Sequence, residues 1–367
     1  MAKRIRPAAA DSRIKQLRER IDSLDVRIQA LITQRAKFAV EVARTKQAAG
    51  ADNFYRPERE ADVLRRVLAR NRGPLADETI ARLFREIMSA CLALESALKV
   101  AFLGPEGTFT QEAAFKHFGH AVQTRPLAAI DEVFREVESG AADFGVVPVE
   151  NSTEGVINHT LDMFLQSPLT ICGEVELPIH HLLLTKGADR ATARRVVSHQ
   201  QSLAQCREWL DSNLPGIERV AVSSNAEAAR LAASEPQTLA IAGDSAARIY
   251  NLRVLAANIE DNPDNTTRFL VIGRMAPEPS GRDKTTLLIS GKNRPGALHR
   301  LLAPLARHGI NMTRIESRPS RRSRWEYVFF VDIDGHAKDR KVAKVLAQLE
   351  KEAAFLKLLG SYPKAVV

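Results

Sequence analysis

Cysteine is scarce: Cys91, Cys172 and Cys206 are the three in 367 residues, they stand far apart, and no CxxC pair occurs. That excludes a disulfide framework and a cysteine-built zinc site, and it suits a reducing, cytoplasmic compartment. Aromatic residues make up only 5% and do not interleave with basic ones, so the stacking platform of a nucleic-acid binder is missing. No apolar run approaches the ~18 residues that would cross a membrane. Met1 to Arg13 is basic but lacks the apolar core of a secretory leader. A strand-to-helix turn, Gly104-Pro105-Glu106-Gly107-Thr108-Phe109-Thr110, is not followed by Gly-Lys-Ser/Thr, which excludes a phosphate P-loop. The expectations are therefore no metal, no cofactor, no nucleic acid and no membrane.

What is present is charge and length. Lys and Arg number 53 against 44 Asp and Glu, a formal +9 with a pI near 9.6. With nucleic acid set aside, such a balance favours small anionic substrates. The length exceeds what one core supports and predicts two or three domains.

Ile14, Leu17, Ile21, Leu24, Ile28, Leu31, Phe38 and Val42 follow a 3,4 spacing, which predicts one long amphipathic helix starting near Asp11 or Ser12. Arg35 falls on that apolar seam and needs an anion, because an unpaired buried charge is very costly. Pro57 opens a second helix carrying Arg59 and Glu60, and Gly73-Pro74 ends it. In a third helix, Phe84, Met88, Cys91, Glu95 and Leu98 put Glu95 on or beside the apolar face. Ionisable residues on helix seams describe a polar pocket inside a bundle.

From residue 98 to 276 the pattern changes to alternating strands and helices, which predicts two α/β lobes with a cleft between them, as in periplasmic binding proteins. The strand from Phe144 to Val149 delivers Glu150-Asn151-Ser152-Thr153-Glu154-Gly155 at its C-terminal end, where open α/β sheets bind ligands. Asn262-Pro263-Asp264-Asn265 is loop chemistry. It leads into Thr266-Thr267-Arg268-Phe269 and a buried-strand run, so hydroxyls and a guanidinium sit where a loop enters a rigid element. His180 and His181, adjacent on a strand, point to opposite faces and form no bidentate site; a surface or satisfied core pair is expected. Pro277 to Gly281 is a linker by composition, and residues 284–367 then read βαββαβ, a ferredoxin-like order, with one strand spanning Trp325 to Ile333.

Three resemblances attach to these stretches. Leu17-Arg18-Glu19-Arg20-Ile21, Gln34-Arg35, Val40 to Lys46 and Arg59-Glu60 resemble the all-helical (AroQ-type) chorismate mutases. That resemblance implies a cationic clamp on chorismate from Arg18, Arg35, Lys46 and Arg59 together with Glu60. Arg56 stands where relatives often carry Asp, and Glu95 where some carry Gln donating to the ether oxygen. GPEGTF, VPVENSTEG, SHQQSLAQC and NTTRF, in that order, resemble prephenate dehydratase. By that match Thr267 is nearest the leaving hydroxyl, Glu150 is the reserve acid, and Phe269 packs beneath the ring. Thr108, Asn151, Ser152, Ser198, Gln205 and Arg268 are implied as substrate-binding. Gly296-Ala297-Leu298-His299, with Asn311, and Glu316-Ser317-Arg318-Pro319 resemble the phenylalanine-binding ACT domains, with His299 where some relatives have Val.

The resemblance thus implies a multidomain enzyme: an all-α mutase bundle (1–97), a two-lobed α/β dehydratase (98–276) and an α+β ferredoxin-like ACT domain (284–367). Its implied substrates are chorismate and prephenate, its effector L-phenylalanine. Rival readings are an arogenate-using dehydratase and a non-catalytic amino-acid-sensing regulator. One geometric point is independent of the family. Arg18 and Arg35 are 17 residues apart on one helix, roughly 26 Å at 1.5 Å per residue. No chorismate-sized ligand spans that, so a shared site takes Arg18 from a second chain, and a homodimer is expected.

Overall fold

A computed structural model describes residues 7–48, 50, 55–292, 294–320 and 327–366. Trp325, the expected start of a strand, lies outside them. The helical unit consists of α1 (Pro7–Ala48), α2 (Pro57–Arg70) and α3 (Asp77–Ala93). α3 ends before Glu95, whose N–H bonds Leu92 O in a turn that frees the chain for the next strand. Glu95 is therefore beyond the helix rather than on its face. Ile14, Leu17, Ile21, Leu24, Ile28, Leu31, Phe38 and Val42 line α1 and are 47–63% exposed. An apolar stripe of that length left in water is an interaction surface.

The first lobe comprises β1 (Lys99–Leu103), α4 (Phe109–Phe118), β2 (Gln123–Leu127), α5 (Ile130–Glu138), β3 (Phe144–Asn151), β4 (Gly155–Val156), α6 (Asn158–Phe164) and β5 (Thr170–Pro178). The second contains β6 (Leu182–Thr185), β7 (Arg195–His199), α7 (Gln200–Gln205), α8 (Arg207–Asn213), β8 (Glu218–Val222), α9 (Asn225–Ser234), β9 (Thr238–Ala242), α10 (Asp244–Ile249) and β10 (Arg253–Ala256). The chain then returns to the first lobe as β11 (Thr266–Gly273). The first sheet runs β2-β1-β3-β11-β5 with β4 on β3, and the second runs β10-β6-β9-β7-β8. Two crossovers join the lobes, through residues 179–181 and 257–265. Glu260 ties them together: it accepts from His180 Nδ1 at 2.7 Å and from the His181 N–H at 2.8 Å.

The C-terminal unit is β12 (Asp283–Gly291), α11 (Ala297–Arg307), β13 (Met312–Pro319), β14 (Tyr327–Asp334), α12 (Arg340–Glu352) and β15 (Ala353–Pro363), with sheet order β13-β14-β12-β15. One face of this sheet carries its two helices over Leu287, Ile289, Val331 and Ile333. The other face does not reach water. Leu288, Phe330, Leu359 and Tyr362 share one core with Phe134, Phe164, Ile171 and Leu270 of the first lobe. Contact is close enough that a Cβ on Gly360 would collide with the Ile171 carbonyl.

Candidate active sites

A cleft of about 410 Å³ opens between the lobes, within the usual range for a small-molecule site. Its walls come from the C-terminal ends of β1, β3, β7 and β8, the start of β11, and the crossover at His181. Antiparallel pairing sets Thr267 opposite Asn151 and Arg268 opposite Glu150, with a bulge immediately after Arg268. Side chains alternate along both strands, so each neighbouring pair serves opposite faces of the sheet.

On the cleft face, Asn151 Oδ1 accepts from the N–H groups of Thr153 and Glu154 at 3.0 and 2.9 Å. Its amide nitrogen must then point the other way, and it donates to Thr267 Oγ1 and Asn265 Oδ1, both at 2.8 Å. Asn265, 1% exposed, donates to Gln205 Oε1 at 3.0 Å, and Gln205 donates to Glu154 Oε1 at 3.2 Å. Two backbone donors at one end and a carboxylate at the other fix the direction of every bond in this chain. Thr267 Oγ1 is held as an acceptor, which leaves its own proton for whatever occupies the cleft. Phe109 and Phe269 supply apolar wall.

The opposite face holds two residues that the sequence suggested for chemistry. Glu150 Oε2 is 2.7 Å from Arg314 Nε on β13, so it meets the C-terminal unit instead of the cleft. Arg268 bonds Glu174 (3.0 Å), Asp332 (2.6 Å) and Tyr362 (3.1 Å) in a nearly dry interface. It is a structural cation: without it Glu174 would keep Lys284 at 2.6 Å, but Asp332 would lose its charged partner in a nearly dry site and keep, among the described residues, only the Thr286 hydroxyl. Ser152 also stays out of the cleft: its N–H bonds Thr266 O and its Oγ accepts from Thr266 N, which locks the turn. Ser198 is fully buried on Ile241 O and Asn225 Oδ1. Thr108 does line the cleft, but its hydroxyl is taken by Leu103 O at 3.1 Å. The Gly107 N–H is likewise occupied, by Gln111 Oε1. Asn265, Glu154 and His181 were not selected from the sequence; Asn265 and Glu154 sit inside the quoted motifs, which was the available signal.

The family profile for prephenate dehydratase matches residues 100–277, that for chorismate mutase type II residues 17–96, and that for the ACT domain residues 285–351. The bifunctional chorismate mutase/prephenate dehydratase of Pseudomonas aeruginosa is 59% identical over 366 residues, covering 98% of this chain and all of its own. The Escherichia coli K12 enzyme of the same name is 33% identical over 95% of both chains. This chain belongs to the bifunctional chorismate mutase/prephenate dehydratase family. A prephenate dehydratase from Arthrobacter aurescens, solved in complex with L-Phe, superimposes with a TM-score of 0.68 at 38% identity, covering 74% of this chain and 93% of that one. The chain is accordingly an enzyme with mutase, dehydratase and ACT domains.

In the mutase domain, Arg35 Nη1 is 3.5 Å from Ile87 O. Lys46 lies near enough to Glu95 to oppose the rise that burial imposes on the Glu95 carboxyl. Glu95 Oε2 is buried and has no hydrogen-bond partner among the described residues. Arg18 is exposed, well up α1. Arg59 and Glu60 are not brought to this group. Arg59 is 68% exposed beside Asp62. Glu60 instead faces a cavity of about 460 Å³ between the mutase and dehydratase, with Tyr55, Arg85 and His117. Its carboxyl is pushed up to about 7 by burial, against the nearby Arg85.

In the ACT domain, Gly296 adopts φ +74° just before α11, a left-handed turn that favours glycine. Strand alternation divides the second motif. Arg314 and Arg318 reach the dehydratase, Arg318 through Asp162 at 2.7 Å and through Asn158. Glu316 shares their face, whereas Ser317 lies on the other. Asn311 donates to Asp334 at 3.3 Å. Arg318 is thus a domain-docking residue.

Among the described residues no helix is long and apolar enough to cross a membrane, and no group of three or more His, Cys, Asp or Glu is placed to hold a metal.

Proposed function

We propose that the interlobe cleft turns prephenate into phenylpyruvate, with Thr267 as the group that assists departure of the ring hydroxyl. In this reaction the bond from ring carbon to carboxylate breaks and its electron pair enters the ring. The carbon–hydroxyl bond breaks on the other side, and the hydroxyl leaves as water once it gains a proton. Aromatisation drives both cleavages, so the protein has to orient the substrate and stabilise the departing oxygen. The observation that carries the reading is the 2.8 Å bond from Asn151 Nδ2 to Thr267 Oγ1, which aims the threonine proton away from the sheet. Gln205 has a second amide hydrogen to offer a substrate carboxylate.

For the mutase reaction, Arg35, Lys46 and Glu95 contribute from one chain and Arg18 from a second copy, whose α1 covers the apolar stripe. Restriction and charge complementarity suffice for a unimolecular rearrangement. Closing this site in the dimer brings Arg59 into use. We assign L-phenylalanine as the effector, bound at Gly296, Ala297, Leu298, His299, Asn311 and Ser317, and place the enzyme in the cytoplasm. Support comes from the Arthrobacter dehydratase, solved with L-Phe.

Spectrophotometric turnover of chorismate and of prephenate by the purified chain, with and without phenylalanine, tests all three assignments. Arogenate is run alongside, and faster turnover of arogenate than of prephenate would reassign the substrate.

A further inference from the structure

His181 is an odd residue for its position. It sits on a crossover between the lobes, 1% exposed, and forms part of the cleft wall. Its ring meets Phe109 edge-on at 5.8 Å, and Nε2 is 2.9 Å from Gln205 Oε1. Nδ1 is buried and has no hydrogen-bond partner among the described residues. Leaving a buried ring nitrogen unpaired is unfavourable, and an apolar side chain of similar size would avoid it. The imidazole is therefore present for its other nitrogen.

The hydrogen-bond directions make that nitrogen a donor. Gln205 must give one amide hydrogen to Glu154, which only accepts. Its carbonyl oxygen then faces both Asn265 Nδ2 and His181 Nε2, so Nε2 carries the proton and Nδ1 the lone pair. Gln205 belongs to the second lobe, while Glu154 and Asn265 belong to the first lobe and its returning crossover. The carboxamide spans the cleft. Asn265 and Glu154 already set which end of the amide is which; without the His181 donor its oxygen would be held by Asn265 alone, and the carboxamide could tilt away from the pose that aims its second N–H at an anionic substrate.

We propose that His181 is a positioning residue for the dehydratase reaction, donating Nε2–H to Gln205 Oε1 and so fixing a carboxamide that bridges the lobes with its remaining N–H toward the substrate. This rests on the dehydratase reading of the cleft. The charged and titratable groups around the imidazole are Glu260 beneath its backbone N–H, His180 beside it and Glu154 beyond Gln205. Burial holds the ring below the usual histidine range, with the Gln205 bond and Glu260 opposing. The ring works as a neutral donor.

The test uses the full-length protein, with His181→Phe, His181→Gln and Gln205→Ala made singly and His181→Phe also combined with Gln205→Ala. His181→Phe should lower kcat/KM for prephenate roughly 10- to 100-fold, the range for a lost hydrogen bond that steers a charged group. Its Tm should not fall, since the unpaired Nδ1 goes with the ring. His181→Gln, which returns a donor near the Nε2 position, should recover most of the activity. In the Gln205→Ala background His181→Phe should cost nothing further. The nitrogen-15 spectrum of histidine-labelled protein should show His181 as the Nε2–H tautomer. Full activity in His181→Phe, losses that add in full to those of Gln205→Ala, or an Nδ1–H tautomer would each overturn the proposal. Should His181→Phe fail to fold, the glutamine variant and the tautomer still decide. Absence of prephenate turnover by the wild type would instead overturn the reading of the cleft, and the tautomer would judge His181 separately.

Discussion

Glu150 Oε2 lies 2.7 Å from Arg314 Nε, while the next residue along β3, Asn151, holds Thr267 Oγ1 at 2.8 Å on the opposite face. Arg268, next to Thr267, is tied in the same way to Asp332 of the ACT sheet. The two strands that carry the dehydratase groups are thus gripped from behind by the ACT domain. A ligand can bias such an arrangement only through different affinities for two states. We propose β13 and β14, through Arg314 and Asp332, as the route by which an effector bound to the ACT domain would reach these strands.

Glu150→Gln should keep prephenate turnover within a few-fold of wild type, and Arg314→Gln should resemble it. Both should change the phenylalanine concentration needed for inhibition. A general acid removed from the site would cost about 10²–10⁴-fold. A loss of that size in Glu150→Gln, with normal turnover in Arg314→Gln, would return Glu150 to the chemistry.

Thr267→Ala should lower dehydratase kcat by about 10²–10³-fold, the usual effect of deleting a donor aimed at developing charge. Thr267→Ser keeps the hydroxyl and should fall in between. Chorismate consumption should continue in both, so that prephenate accumulates. Loss of mutase activity in a folded Thr267→Ala protein would contradict separate sites.

Glu60 makes stability depend on pH. Burial raises its folded-state value from 4.5 to about 7, so between those values the folded state binds more protons than the unfolded one. Stability contributed by this group therefore falls as pH rises through that window and is level above it, by on the order of 3 kcal/mol. Denaturation midpoints of wild type and Glu60→Gln, followed from pH 4 to 8, should diverge in that direction. Parallel curves would show Glu60 to be solvated in the assembled protein.

Glu95 bears on mutase rate. Burial raises its pKa and Lys46 lowers it, with burial the larger effect. Only the protonated carboxyl can donate to an ether oxygen, so mutase kcat should decline as pH rises through the folded-state value. Glu95→Gln donates at every pH and should lose that decline, with the dehydratase profile unchanged. Identical mutase profiles would make Glu95 a bystander.

Much of this protein was legible along the chain because the signals are local. A 3,4 apolar spacing specified α1, β-branched runs after loop residues marked β3 and β11, and a Pro/Gly linker announced the ACT unit. The strands at Gln123, Thr170, Leu182 and Arg253 were not delimited, since their pairing partners lie far away in sequence, and His180 and His181, expected on a strand, stand in the crossover between β5 and β6. The site motifs located Asn151, Gln205 and Thr267, but side-chain direction separated them from their neighbours. Glu150 and Arg268 stand in the same motifs and look equally suited to chemistry. The period-two geometry of paired strands, and the register that sets Thr267 against Asn151, turn one residue of each pair to the cleft and the other to Arg314 and Asp332. His181 shows the same limit. An adjacent histidine pair read as inert, and only the approach of Gln205 from the other lobe gave one ring a defined partner and left its second nitrogen bare. Composition and periodicity determined which faces would be apolar or polar; which polar group faced which was decided by packing between distant segments, because hydrogen bonds depend on direction in space.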